Sequence, residues 1–480
     1  MHFELRFDKL RRLVLFSLPP CLSLAFHQFC QLFMVVDVPH YCNTDWIRAV
    51  GPNLTEEEQL NLTLPRDADG EYEQCSMYSP VDWDLDSIMA YGLNATEKCS
   101  NGWVYPTAQQ PSLLTEFDLV CDRKNLNDIS QSVYMLGINC PISVPKQQCV
   151  RQHDALVLAG HYTPFCHQLH IDGFESLFFT ATEWVGVSYR PQAVLLSHCC
   201  FAAGQMILAG LSYGIPNWRL LQIVGSAPIF ILFLFIWLSK MQCSVCESFN
   251  SPCCGSPALL VWFHVPWDMV KMLSEEVNIV FTHSCSLHLV LLCSVFRFVN
   301  SLVYYGLSLN VTNFGLDIYL TQLAFGAVEI PGRVGCIFML QWFGRKKSQG
   351  GFLLLSGLVC LILTVIPEGQ PVVITVLATI GKFTASASFS SAYVYTAELF
   401  PTIIRQSGVS LCSMVARVAG IIAPLILLLE QYHQAIPMAI YGGTTVLGGL
   451  LCFLLPETRG VELADGTEGD QPTNTKNTYF

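Results

Sequence analysis

The chain is poor in charge: only 13% of its 480 residues are Asp, Glu, Lys or Arg, against 52% hydrophobic ones. With a mean hydropathy of +0.43, so much apolar surface does not fit inside a soluble core of ordinary proportions, and the chain belongs in lipid. It also lacks a phosphate-binding loop, a nucleophile elbow and any nucleic-acid signature, which argues against an enzyme and against a nucleic-acid partner. No cofactor is called for. Cys243, Cys246, Cys253 and Cys254, with His264, suggest zinc only superficially, because a CxxC followed by CC lacks a second properly spaced pair. A last absence is positional: no apolar run long enough to cross a bilayer lies between about 127 and 190.

Elsewhere such runs are plentiful. Stretches of roughly 20 residues, the length a bilayer demands, fall at 13–36, 191–214, 219–238, 284–307, 317–341, 351–366, 371–396, 407–429 and 434–455. The pattern predicts an all-α polytopic membrane protein. The first stretch has no small-residue cleavage site and reads as a signal anchor. Arg6, Lys9, Arg11 and Arg12 before it place the N-terminus in the cytoplasm. Arg345, Lys346 and Lys347 belong on the same side, which puts the turn at 367–370 outside, Arg405 inside, the turn near Glu430 outside and the C-terminus inside. Alternation then requires an odd number of crossings between 127 and 190. The reading favours a short crossing at about 129–140, or a combination with 154–160. A helix forced through 165–184 would bury Asp172 and Glu175, at about 2.5–3.5 kcal/mol for an acid near the bilayer centre.

The net charge of −12 has one address. Residues 37–128 hold seventeen acidic and five basic residues, or 5 − 17 = −12, and the remainder is balanced at twenty of each sign. The same segment carries Cys42, Cys75, Cys99 and Cys121 and the sequons at Asn53, Asn61 and Asn94. Sequons and an even cysteine set in an acidic insert predict an oxidised, glycosylated outer loop with two disulfides, for which three pairings are open.

Charged groups near the middle of spans are expensive and mark function by default. Here they are Arg297, Glu329, Arg333, Lys382 and Arg417. Cations in a low-dielectric cavity can meet an anionic substrate, and the planar fork of Arg grips a carboxylate with two parallel hydrogen bonds. Arg417 is the strongest candidate. Glu329 lies four residues before Arg333, on the same helix side, so an internal pair competes with ligand contact there.

Several strings then carry a resemblance: FDLVCDRKNL at 117–126, TEWVG at 182–186, NWRLLQ at 217–222, YYGLSL at 304–309, GRKKSQ at 344–349, YVYTAELFPTIIRQ at 393–406 and LLPET at 454–458. The chain resembles the organic ion transporters of solute carrier family 22, in the major facilitator superfamily, and within them the organic anion branch, nearest its urate- and nicotinate-exchanging type. The resemblance implies a major-facilitator helical bundle that moves small organic anions by alternating-access exchange. It implies substrate contacts from Tyr304, Tyr305, Arg333, Lys382 and Arg417, and a gate built from Gly344, Arg345, Lys346, Glu398 and Arg405. It implies that spans 3 and 4 are missing, replaced by 138–179, and that the usual segment after span 6 is replaced within 239–283. Arg297 stands where an uncharged residue is expected.

The resulting layout is a cytoplasmic N-terminus and span 1 at 1–36, the outer loop at 37–128, the rest of the amino-half bundle at 129–238, a central cytoplasmic loop at 239–283, a six-helix bundle at 284–456 and a cytoplasmic tail at 457–480. The resemblance also implies a multi-pass plasma-membrane protein, apical in epithelia. Thr478-Tyr479-Phe480 has the form that binds PDZ scaffolds by strand addition. The competing expectation is a non-transporting, truncated membrane glycoprotein, since a rocking two-bundle machine needs both halves.

Overall fold

The computed structural model describes residues 22, 24–35, 38–67, 70–106, 112–139, 190–227, 284–367, 369–400 and 405–459. Residues 138–139 close a described helix, whereas 140–189, the 239–283 segment with its cysteines, and the 460–480 tail lie outside the described residues.

Among the described residues, ten helical segments build the body: α1 at 24–34, α2 Asn125–Asn139, α3 Arg190–Gly214, α4 at 218–227, α5 Ser284–Leu309, α6 Ile318–Phe343, α7 Arg345–Leu363, α8 Pro371–Leu399, α9 Arg405–Leu427 and α10 Ala435–Cys452. Among the described residues, six stretches corresponding to α5 through α10 are long and apolar enough to cross a membrane. Their outer faces leave Leu320, Val334, Phe338, Leu355, Leu358, Val372, Val376, Leu447 and Leu450 exposed, a belt of large apolar side chains that suits hydrocarbon rather than water.

Helix ends follow local chemistry. Asp317 caps α6, its carboxylate accepting from the backbone N–H groups of Tyr319 and Leu320 at 2.7 and 3.2 Å, and Pro371 starts α8 where its missing N–H costs nothing. Between α6 and α7 the chain turns on a single residue, Gly344, at φ +88°. That left-handed backbone favours glycine. The basic string is helical: Arg345, Lys346 and Lys347 form the first turn of α7, six residues earlier than the apolar run at 351. Cations at a helix N-terminus oppose the helix dipole. The Glu457 carboxylate supplies the compensation, accepting from the backbone N–H groups of Arg345 and Lys346 at 2.8 and 3.2 Å.

In the carboxyl half α5 packs on α8, α9 and α10, and α7 on α8 and α10. From the amino half α2 lies on α9 and α3 on α6. The main apolar core runs through this seam, with Phe26 and Phe29 of α1, Leu208 of α3, Leu307 of α5 and Phe325 of α6 in one cluster.

The 42–121 region forms a separate small unit with two short antiparallel sheets, Tyr41–Cys42 on Trp103–Val104 and Ser76–Tyr78 on Thr96–Lys98. Disulfides join Cys42 to Cys99 and Cys75 to Cys121, selecting one of the three open pairings. A capping box at Thr55 and Glu58 starts its helix Glu56–Thr63. Asn53, Asn61 and Asn94 are all exposed.

Candidate functional site at the helix seam

One buried carboxylate organises the seam. Glu329 projects from α6 and is fully buried. Its Oε2 accepts from Nη2 and Nε of Arg333 at 2.6 and 3.2 Å, one turn along the same helix. Its Oε1 lies 2.9 Å from Nζ of Lys382 on α8 and accepts from the Tyr304 hydroxyl of α5 at 2.7 Å. Gln205 of α3 donates to the same oxygen at 3.0 Å and to the Tyr304 hydroxyl at 3.1 Å. Four helices converge on one acid, and the cluster of Glu329, Arg333 and Lys382 holds two cations against one anion.

The cations are further supported. Lys382 lies 3.5 Å above the Tyr304 ring and donates to the Ser308 hydroxyl, so aromatic face and hydroxyl replace water around the ammonium. Arg333 Nη1 reaches the Ser390 hydroxyl at 3.4 Å. In so dry a place removal of any partner leaves an unsatisfied charge, which makes the cluster all-or-none in character.

Tyr305, beside Tyr304, points away from this cluster and accepts from Nε2 of Gln28 on α1 at 2.6 Å. It also packs on α9, where a Cβ at Gly420 would lie 3.3 Å from its ring. Arg417, one turn before Gly420, is partly buried and close enough to act electrostatically on Tyr305. The five residues expected at a substrate site thus divide: Tyr304, Arg333 and Lys382 gather on Glu329, whereas Tyr305 and Arg417 lie on the α5–α9 side.

Of the expected gate residues, Gly344, Arg345, Lys346 and Glu398 are brought together at one end of the bundle. Arg345 grips Glu398 with Nε and Nη2 at 2.9 and 3.0 Å, and Thr458 donates to the same carboxylate at 2.8 Å. Lys346 joins through its backbone, and a side chain at Gly344 would press on Glu457 at 2.7 Å. Arg405 opens α9, and its side chain is outside the described residues.

Sequence reasoning missed Gln28, Gln205, His198 and Glu457. A lone amide inside an apolar run was the available signal for the two glutamines. Among the described residues one grouping has metal-ligand proximity, His40 with Cys75 and Cys121, but both sulfurs are in a disulfide and leave only an imidazole.

Comparison with known proteins decides the family. The chain is 42% identical to solute carrier family 22 member 13 of Homo sapiens, an alignment covering 92% of this chain and 86% of that protein. The chain belongs to solute carrier family 22. Member 14 of Homo sapiens is 32% identical over 95% of this chain and 85% of its own length, and member 6-A of Xenopus laevis is 32% identical over 94% and 89%. The description "Sugar (and other) transporter" matches residues 266–468. The fold matches that of the MFS proton:xylose symporter XylE bound to 6-bromo-6-deoxy-D-glucose, with a TM-score of 0.50 at 14% identity over 95% of this chain and 98% of that one. The solute carrier is therefore an all-α, multi-pass membrane protein of major-facilitator type, and its role is transport rather than catalysis.

Proposed function

We propose that this solute carrier moves small organic anions, flat ring-bearing monoanions of the urate and nicotinate kind, across the plasma membrane by alternating-access exchange. The observation that carries the reading is the seam itself: α1 and α3 of one half meet α5 and α6 of the other through Gln28–Tyr305 and Gln205–Glu329, beside a surplus of buried cations. In this family's fold the substrate lies near the midplane between halves. An arriving carboxylate finds Arg417 for charge and Tyr304 and Tyr305 for ring and hydroxyl contact, while Arg333 and Lys382, held on Glu329, set a positive field.

The Arg345–Glu398 clamp with Gly344, Lys346 and Arg405 serves as the cytoplasmic gate, closed when the clamp holds. The 37–128 unit faces outside, bears glycans, and the 284–456 bundle forms the second half of the machine. The 138–179 segment stands in place of spans 3 and 4, and the Thr478-Tyr479-Phe480 end recruits a PDZ scaffold at an apical epithelial surface.

Uptake of labelled nicotinate and urate by cells expressing the full chain tests the reading. Saturable uptake, accelerated by the same anion preloaded inside, is expected. A surface-expressed chain with no uptake above mock-transfected cells would replace this reading with that of a non-transporting glycoprotein.

A further inference from the structure

Arg297 of α5 is only 1% exposed, yet among the described residues no carboxylate pairs with it. Its Nη2 donates to the Ser413 hydroxyl of α9 at 3.3 Å, its Cζ sits 3.7 Å over the Tyr393 ring of α8, and its Nε has no partner. A buried guanidinium in this state is costly unless something supplies an anion. Its surroundings are polar on the far side as well. His198 of α3 packs 5.5 Å from Tyr393 and meets the Ser390 hydroxyl through Nδ1 at 3.2 Å, and Ser390 in turn meets Arg333.

The Phe389 ring packs against both this recess and the Glu329 cluster. It is 5.1 Å from Tyr304, and 5.5 and 6.0 Å from Tyr393 and His198. Along α5, Arg297 lies seven residues before Tyr304, about 10 Å on the helix axis. The charges add to a surplus: Arg297, Arg333 and Lys382 against Glu329 give 3 − 1 = +2.

We propose that Arg297, with Ser413, His198 and Tyr393, forms a second anion site that takes a carboxylate, distinct from the Glu329 cluster and joined to it through Ser390. The proposal rests on the organic-anion reading above and extends it: the pathway has two stations, and the second accepts either the far carboxylate of a dicarboxylate or a separate small acid. Arg297 offers the carboxylate its buried, unpartnered Nε, and the Tyr393 face holds the guanidinium plane in position.

The test is equilibrium binding of labelled nicotinate, succinate and propionate to the purified full chain, with Arg297→Gln and Arg297→Lys beside the wild type. The expected result is that Arg297→Gln weakens succinate at least about tenfold and leaves nicotinate within about twofold, while Arg297→Lys recovers part of the succinate affinity. Propionate binding at two per chain, falling to one in Arg297→Gln, supports the site with a separate small acid as its occupant. Nicotinate bound by the wild type with succinate and a second propionate both absent, or any variant that loses all three ligands equally, overturns the second site alone. If the wild type binds none of them, the organic-anion reading falls and the second site with it. Where Arg297→Gln is not monodisperse, the succinate-to-nicotinate ratio in Arg297→Lys decides, and an unchanged ratio overturns the proposal.

Discussion

Arg333 and Lys382 share one carboxylate, each holding a different oxygen of Glu329, 2.6 and 2.9 Å away. The pair is local on one side, four residues along α6, and remote on the other, where α8 brings in Lys382. The cluster therefore fastens two helices together as well as setting charge at the seam.

Glu329→Gln should destabilise the protein. It leaves two buried cations without an anion, a loss of about 3–5 kcal/mol when one partner of a buried pair is removed. Thermal unfolding in detergent, followed by loss of monodisperse protein, should shift to a clearly lower temperature. An unchanged transition would mean that Glu329 is not the counter-charge of Arg333 and Lys382.

Arg297→Gln should do the opposite in the absence of any organic anion. The change removes a buried charge that pairs with no described carboxylate, so the unliganded transition should rise, in contrast with Glu329→Gln. A fall comparable to that of Glu329→Gln would assign Arg297 a supporting role in packing.

Arg417→Asp should abolish anion uptake while surface expression persists. Losing a charge-assisted hydrogen bond removes roughly 1.5–3 kcal/mol, and repulsion adds to it. Labelled nicotinate uptake normalised to surface protein is the measurement. Wild-type-like uptake would move attention to Arg333 and Lys382.

Breaking the Arg345–Glu398 clamp should shift the conformational balance. Both side chains are about a quarter exposed, and charged hydrogen bonds of this type contribute roughly 1.5–3 kcal/mol. Either Arg345→Gln or Glu398→Gln should raise cytoplasmic labelling of a cysteine placed in the seam. The exchange Arg345→Glu with Glu398→Arg should return part of the difference, and no return would argue against a direct pair.

In the 42–121 unit, burial and the hydrogen bond to Asp118 raise the Tyr105 phenol above its usual range. The folded pKa exceeds the unfolded one, so this stabilisation is complete below about 10, the unperturbed tyrosine value, and disappears as pH rises toward the folded pKa. Tyr105→Phe should flatten the alkaline limb of the unit's stability, measured by proteolysis between neutral pH and the alkaline range. An identical pH profile would contradict the assignment.

The apolar spans were legible because lipid imposes length and hydrophobicity on any helix that crosses it. The runs at 284–307 and 317–341 correspond to α5 and α6 within two residues. The Glu329–Arg333 pair was legible as well, since four residues make one turn. Lys382 was recognisable as costly, but its carboxylate lies 53 positions away and only packing of α6 on α8 brings the two together. The start of α7 escaped for a similar reason: the anion that caps its basic first turn is Glu457, more than a hundred residues later. For Arg297 the sequence offered a charge in an apolar run, and nothing in the text announces the Tyr393 ring beneath it.

The two disulfides of the 42–121 unit interleave, with Cys75 inside the Cys42–Cys99 ring and Cys99 inside the Cys75–Cys121 ring. A single backbone cut anywhere between Cys42 and Cys121 is therefore always spanned by at least one of them. A protease that nicks this unit severs the chain without releasing any part of it, so the two fragments separate only after reduction.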